Sequence, residues 1–152
     1  CGDVAEAYDF VLEENCLLPN WPVAHFGGRV AGYNMAGKRT EYPGGTPMNA
    51  LKYFTVPIVS LGMIEPAKED EGYEVLISHD PEGNLYKKIL LRDNVVVGAT
   101  FVSEIEGAGI IFHLMKNRVD VGSFKQKLLS EDFGLVSLPE QLRRRMLLGN
   151  LA

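Results

Sequence analysis

Between residues 73 and 102, three apolar runs follow one another across two tight turns, and this arrangement leaves few folds open. Residues 73–78 read as one strand and 85–91 as its partner, joined by Asp80-Pro81-Glu82-Gly83-Asn84, a stretch with turn chemistry. Asp93-Asn94 makes the next reversal, and the strongly apolar run 95–102 returns as a third strand. Connections this short force antiparallel pairing, because parallel neighbours need a crossover of about a dozen residues or more. Two further runs, 53–56 and 58–61, flank Pro57, which predicts an edge position or a break there. The chain from residue 48 to about 106 therefore reads as an antiparallel meander whose last strand is central and buried.

Beyond the meander the pattern turns helical. Residues 108–118 place Ile110, Ile111, Leu114 and Met115 on one stripe and finish on Lys116 and Arg118, which complement a helix C-terminus. Residues 124–129 suggest a short second helix. Ser137-Leu138-Pro139-Glu140 has the form of a capping box ahead of a third. Strands followed by helices predict an α+β layer, one antiparallel sheet with helices on one side.

A different texture precedes the sheet. After Pro19-Asn20-Trp21-Pro22, small residues recur at Ala24, Gly28, Ala31, Gly32 and Ala36, close to helical spacing, and Gly37 suits a C-terminal cap. Each internal glycine costs a helix about 1 kcal/mol relative to alanine, so close packing against another backbone or a ligand is the expected offset. The loop 41–47, rich in proline and glycine, marks a boundary between a first unit at 1–40 and a second at 41–152.

Composition narrows the function classes. A net charge of −5 gives no electrostatic footprint for nucleic acid, and no apolar run reaches membrane-spanning length. Two cysteines, Cys1 and Cys16, are too few for a disulfide framework, so a cytoplasmic location is the default expectation. The three histidines stand in unrelated contexts with no metal-ligand spacing. Gly107-Ala108-Gly109 imitates a dinucleotide fingerprint, but Phe112 replaces its last small residue and the strands around it are antiparallel; a glycine-rich turn is the better reading. Arg143-Arg144-Arg145 reads as a solvated helix face and Cys16 as a small buried apolar group. A chain that opens on Cys1 reads as a piece of a longer protein, with an acylated lipoprotein N-terminus as the weaker alternative.

Cys1-Gly2-Asp3-Val4-Ala5-Glu6 resembles the Gly-Asp segment that closes the FAD domain of pyridine nucleotide-disulfide oxidoreductases. Trp21-Pro22 and the stretch from Gly28 to Gly37 are similar to the branch holding NADH oxidases, rubredoxin reductases and the nitrite reductase large subunit. So are Tyr42-Pro43-Gly44-Gly45, Met48-Asn49, Val119-Asp120-Val121 and Phe124-Lys125. The resemblance implies the C-terminal part of an enzyme passing electrons from NAD(P)H through FAD to an acceptor. It implies that Gly2 and Asp3 approach FAD, Asp3 accepting a hydrogen bond from a ribityl hydroxyl. The helix start at Pro22, Val23 and Ala24 would face the pyrimidine end of the flavin, where its partial positive charge favours the reduced anion. No catalytic or metal-binding residue is implied. FAD and NAD(P)H belong to the longer enzyme, and this chain alone, without the glycine-rich nucleotide cores, is expected to bind neither. The implied partners are the remainder of the FAD and NAD domains, a second subunit in a homodimer, and a protein acceptor such as rubredoxin, with no nucleic acid and no membrane. The competing reading is a non-catalytic α+β module for dimerisation or docking.

Overall fold

A computed structural model describes residues 1–66 and 72–148. The strand-and-turn pattern becomes a five-stranded antiparallel sheet built from β3 (Met48–Tyr53), β4 (Val56–Gly62), β5 (Tyr73–Asp80), β6 (Leu85–Arg92) and β7 (Val95–Val102), in the order β3-β4-β7-β6-β5. The last strand is central, as its apolar sequence predicts. Asp93 and Asn94 take positive φ values of 51° and 59°, the left-handed pair that a two-residue hairpin requires and that Asp and Asn tolerate.

One expectation is corrected at Pro57. The break falls at Phe54-Thr55, a two-residue turn that pairs Tyr53 with Val56, and Pro57 lies inside β4, which has neighbours on both sides. Its carbonyl accepts from the Ser103 N–H at 2.9 Å, just beyond the end of β7. The reciprocal bond is the one proline forgoes, so the cost falls at a ladder terminus.

Alternate residues of the sheet supply the core: Val59 and Leu61, Ile89 and Leu91, Ala99 and Phe101. Onto this face pack α2 (Ala108–Lys116), through Ile111, Leu114 and Met115, and a 3₁₀ turn (Lys125–Leu129), through Leu128. The opposite face carries no helix among the described residues and leaves Leu51, Val75 and Ile77 exposed. The α+β class, with helices on one side, is as expected. The capping box is not. Ser137 ends a 3₁₀ turn (Leu135–Ser137), and its hydroxyl accepts from the Gly134 N–H, so it does not cap α3 (Glu140–Leu148).

Ahead of the sheet stand a small hairpin, β1 (Ala7–Asp9) and β2 (Glu14–Cys16), and the helix α1 (Trp21–Met35). Sequence patterning gave no sign of the hairpin, whose strands are three residues each and carry Asp9, Glu14 and Asn15. It is pinned to the loop before the sheet by the Gly45 N–H donating to the Tyr8 carbonyl and the Phe10 N–H donating to that of Gly45. Phe10 also packs edge-on against Phe112 of α2, 6.1 Å between ring centres, and Glu13 pairs with Arg118. The hairpin is thus stitched to the loop before the sheet and to α2 and its following turn through several kinds of contact.

Candidate functional site

The site is built on the two ends of the first forty residues. Asn20 caps α1: its Oδ1 accepts from the Val23 N–H at 3.2 Å, and its carbonyl accepts from that of Ala24 at 3.0 Å. At the other end Gly37, with φ of 81°, closes the helix. Its N–H bonds to the Asn34 carbonyl and that of Lys38 to Tyr33, the paired bonds of a Schellman cap. The helix therefore starts and stops where the sequence signals lie, with the Asn20 cap the one signal that sequence patterning did not single out.

Gly2 lies against the first two turns of this helix. A Cβ placed on Gly2 would meet the Ala24 carbonyl oxygen at 3.6 Å and its Cα at 3.7 Å. A Cβ on Gly27 would meet the Gly2 backbone, with Cα at 3.5 Å. Two segments some twenty residues apart in sequence, singled out separately, are thus in contact. Gly2 has φ of 88°, a left-handed conformation that glycine adopts without cost.

Three of the chain's turn aspartates use their side chains in their own turns, whereas Asp3 and the exposed Asp93 and Asp132 do not. Asp9, Asp80 and Asp120 each accept on the side chain from a backbone N–H two residues on, at 2.8, 3.0 and 2.7 Å. That is the bond by which aspartate suits a turn. Among the described residues, the Asp3 carboxylate accepts no such bond. It is half-buried and remains free to take a hydroxyl donor.

The helix start offers less than its dipole suggests. Pro22 has no N–H, and those of Val23 and Ala24 are both taken by Asn20. The Val23 side chain is buried, its Cγ2 in the space a Cβ on Gly45 would fill. Pro22, Val23 and Ala24 can therefore act on a neighbouring anion through the helix field and not by direct amide donation. Nor do the two glycines of the small-residue stripe meet this chain. A Cβ on Gly28 or Gly32 would find nothing within 4 Å, and the close approach is made at Gly27 instead.

Around the helix the packing is open. Pro22, Met48 and Phe112 border two mainly apolar clefts of about 470 and 320 Å³, and Val23 is the one buried side chain of α1. Tyr42, lining the smaller cleft, has its hydroxyl pushed above the usual tyrosine range by burial. Cys16 has its thiol pushed up by burial and, next, by Asp9, Glu14 and Glu6, so it lacks the electropositive setting of a redox thiolate. No group of His, Cys, Asp and Glu among the described residues could hold a metal ion.

The fold is shared with flavoenzymes. A FAD-dependent pyridine nucleotide-disulphide oxidoreductase from Desulfovibrio vulgaris superposes with a TM-score of 0.68, over 97% of this chain and 38% of that one, at 19% identity. An NAD-dependent persulfide reductase from A. fulgidus gives 0.67, over 82% and 26%, at 24% identity. Both likenesses are of fold. In sequence, the chain is 35% identical over 74 residues to an NAD(P)H sulfur oxidoreductase (CoA-dependent) of Pyrococcus furiosus, covering 49% of this chain and 17% of that protein. The fold is therefore that of the C-terminal α+β domain found in pyridine nucleotide-disulfide oxidoreductases. Residues 47–119 match the rubredoxin NAD+ reductase C-terminal domain. The chain spans less than a fifth of the length of the curated relative it matches.

Proposed function

We propose that this chain is the C-terminal part of an FAD-dependent NAD(P)H oxidoreductase, in which residues 1–40 complete the FAD domain and 41–152 form the family's C-terminal domain. The observation that carries the reading is the contact of Gly2 with the first turns of α1, with the half-buried Asp3 carboxylate, which accepts no hydrogen bond among the described residues, next in the chain. The residues fit the group. Asp3 would hold a ribityl hydroxyl through a charge-assisted hydrogen bond, and Gly2, lying against Ala24 and Gly27, brings no side chain to the place. The α1 field would favour negative charge on a flavin at its start.

When bound, FAD would supply the two-electron relay, taking hydride from NAD(P)H and passing electrons to the acceptor. The chain's own residues would bind and orient. The activities of the relatives, an NAD(P)H sulfur oxidoreductase and an NAD-dependent persulfide reductase, fit this relay. The partners the reading implies are the FAD and NAD domains, a second subunit, and a redox protein as acceptor. A rubredoxin oxidoreductase of Clostridium acetobutylicum and a putidaredoxin reductase in covalent complex with putidaredoxin share the fold and support the last of these. No helix among the described residues is long and apolar enough to cross a membrane.

Flavin titration of the complete gene product tests the reading. Asp3→Ala should weaken FAD binding about tenfold or more, the worth of one hydrogen bond to a charged group. Unchanged affinity would remove Asp3 from the site. A complete product that stays colourless with FAD would return the chain to a non-catalytic docking module.

A further inference from the structure

We infer that the smaller cleft, between α1, the loop 42–46 and α2, binds a small aromatic anion, its ring among the Phe10, Phe26 and Phe112 side chains and its charged group toward Tyr42, Thr46 and Lys116. The inference is independent of the flavin reading above, because neither Gly2 nor Asp3 borders this cleft.

The walls are apolar and aromatic. Val23, Phe26 and Val30 are spaced three and four residues apart and so share one face of α1. All three border the cleft, as do Phe10 from the turn after β1 and Phe112 from α2. The space is about 320 Å³, inside the range of about 300–1,000 Å³ common to small-ligand sites. Phe26 is 54% exposed, so a ring laid against it gains apolar burial. Phe10 and Phe112 already meet edge to face, 6.1 Å between ring centres, an arrangement that a third ring extends.

The polar side chains of the cleft can all donate. Burial raises the Tyr42 hydroxyl above the usual tyrosine range, which keeps it protonated. Thr46 is 3% exposed, and its Oγ1 has no hydrogen-bond partner among the described residues. Lys116, exposed in the last turn of α2, forms no ion pair among the described residues. No Asp or Glu borders the cleft. Asp9, which bridges to Gly45, is fully buried, and its Oδ1 accepts from the Val11 and Leu12 N–H groups. Donors with no carboxylate among them select an acceptor, and an unpaired ammonium selects a charged one. The larger cleft has no charged side chain on its walls, so the same argument does not extend to it.

The experiment is a calorimetric titration of the complete gene product, in excess FAD, with 2-naphthoate and with its neutral counterpart 2-naphthylmethanol. 2-Naphthoate should bind saturably and about three- to fivefold tighter than the alcohol, the worth of an exposed charge pair. Lys116→Met should abolish that preference and leave the alcohol's affinity unchanged. Tyr42→Phe should weaken 2-naphthoate about tenfold, the worth of one hydrogen bond to a charged group. Val30→Phe, which enlarges a wall of the cleft, should remove binding of both compounds. Lys116 is exposed and Tyr42→Phe deletes one oxygen, so these two variants decide the matter where Val30→Phe impairs folding. Failure of both compounds to bind would overturn the site, the cleft then being filled by the rest of the enzyme. Equal affinity for the two compounds, or a preference for 2-naphthoate that survives Lys116→Met and Tyr42→Phe, would overturn the assignment of an anion to it.

Discussion

Gly98, in the middle of the central strand, should tolerate no side chain. Its would-be Cβ lies 1.7 Å from the Met63 carbonyl oxygen and 2.8 Å from the carbonyl carbon, both backbone. Ordinary contact begins at about 3.4 Å, so Gly98→Ala must move the chain after β4 by well over an ångström. That segment is not free to move. The Met63 N–H donates to the Val97 carbonyl at 2.9 Å, and Gly62 pairs with Gly98 at the end of the β4–β7 ladder. Overpacking of this kind costs about 1–3 kcal/mol. Losing one or two of these hydrogen bonds adds about 1 kcal/mol each. A total of about 2–5 kcal/mol is a large fraction of the ~5–15 kcal/mol that holds a domain together. The assay is urea unfolding of this chain, with the midpoint compared at constant slope. Gly109→Ala is the control. It lies in α2 with nothing within 4 Å of the new Cβ and should be stabilising by up to about 1 kcal/mol from helix propensity. A Gly98→Ala cost below about 1 kcal/mol would refute the reasoning, because relief would then be possible at a place where the structure shows only backbone.

The Asn20 cap is the next test: Asn20→Ala should cost about 1 kcal/mol and Asn20→Asp nearly nothing, measured by the same unfolding curves, since only the former leaves the Val23 N–H unpaired. Cys16 should alkylate with iodoacetamide more slowly than the exposed Cys1 near neutral pH. Its raised pKa keeps it as the protonated thiol, and its rate should climb as pH passes beyond the ordinary thiol range. A Cys16 that reacts as fast as Cys1 would contradict that burial and its acidic neighbours. Hydrogen exchange should separate the two units. Amides of β6, β7 and α2 should be the slowest, and those of α1 should exchange orders of magnitude faster, because α1 buries Val23 alone.

The sheet was legible because its signals are local. Asp-Pro, Gly-Asn and Asp-Asn at the reversals, and uninterrupted Val and Leu runs between them, specify hairpins without reference to the rest of the chain. The β1–β2 hairpin was not legible for the converse reason. Its three-residue strands carry Asp9, Glu14 and Asn15, and they are held by Gly45 and Phe112 from a later part of the chain. Pro57 and Ser137 show the same limit at single residues. Whether a proline costs a ladder bond depends on where the neighbouring strand stops. Whether a serine caps the following helix depends on which N–H reaches it first. At the site, the Gly-Asp turn and the helix were both visible as segments, and their contact was not, because Gly27 has no side chain whose pattern could announce it.

The choice between a flavoenzyme and a docking module turns on what α1 does with its surface. A helix that served only as part of an α+β module would bury a stripe against the sheet, as α2 does with Ile111, Leu114 and Met115. α1 has fifteen residues and buries one side chain. Trp21, Phe26 and Met35 are exposed, Gly28 and Gly32 face open space, and clefts of about 470 and 320 Å³ border its start and inner side. Two internal glycines with no contact of their own are a net cost of about 1 kcal/mol each to an isolated helix, with no packing gain in this chain to offset it. Such a helix makes physical sense where a further surface lies along the Gly28-Gly32 face. An FAD domain continuing from Asp3 is that surface under the flavoenzyme reading. It accounts for the bare helix face and gives the Asp3 carboxylate, which its own turn does not use, a hydroxyl to hold.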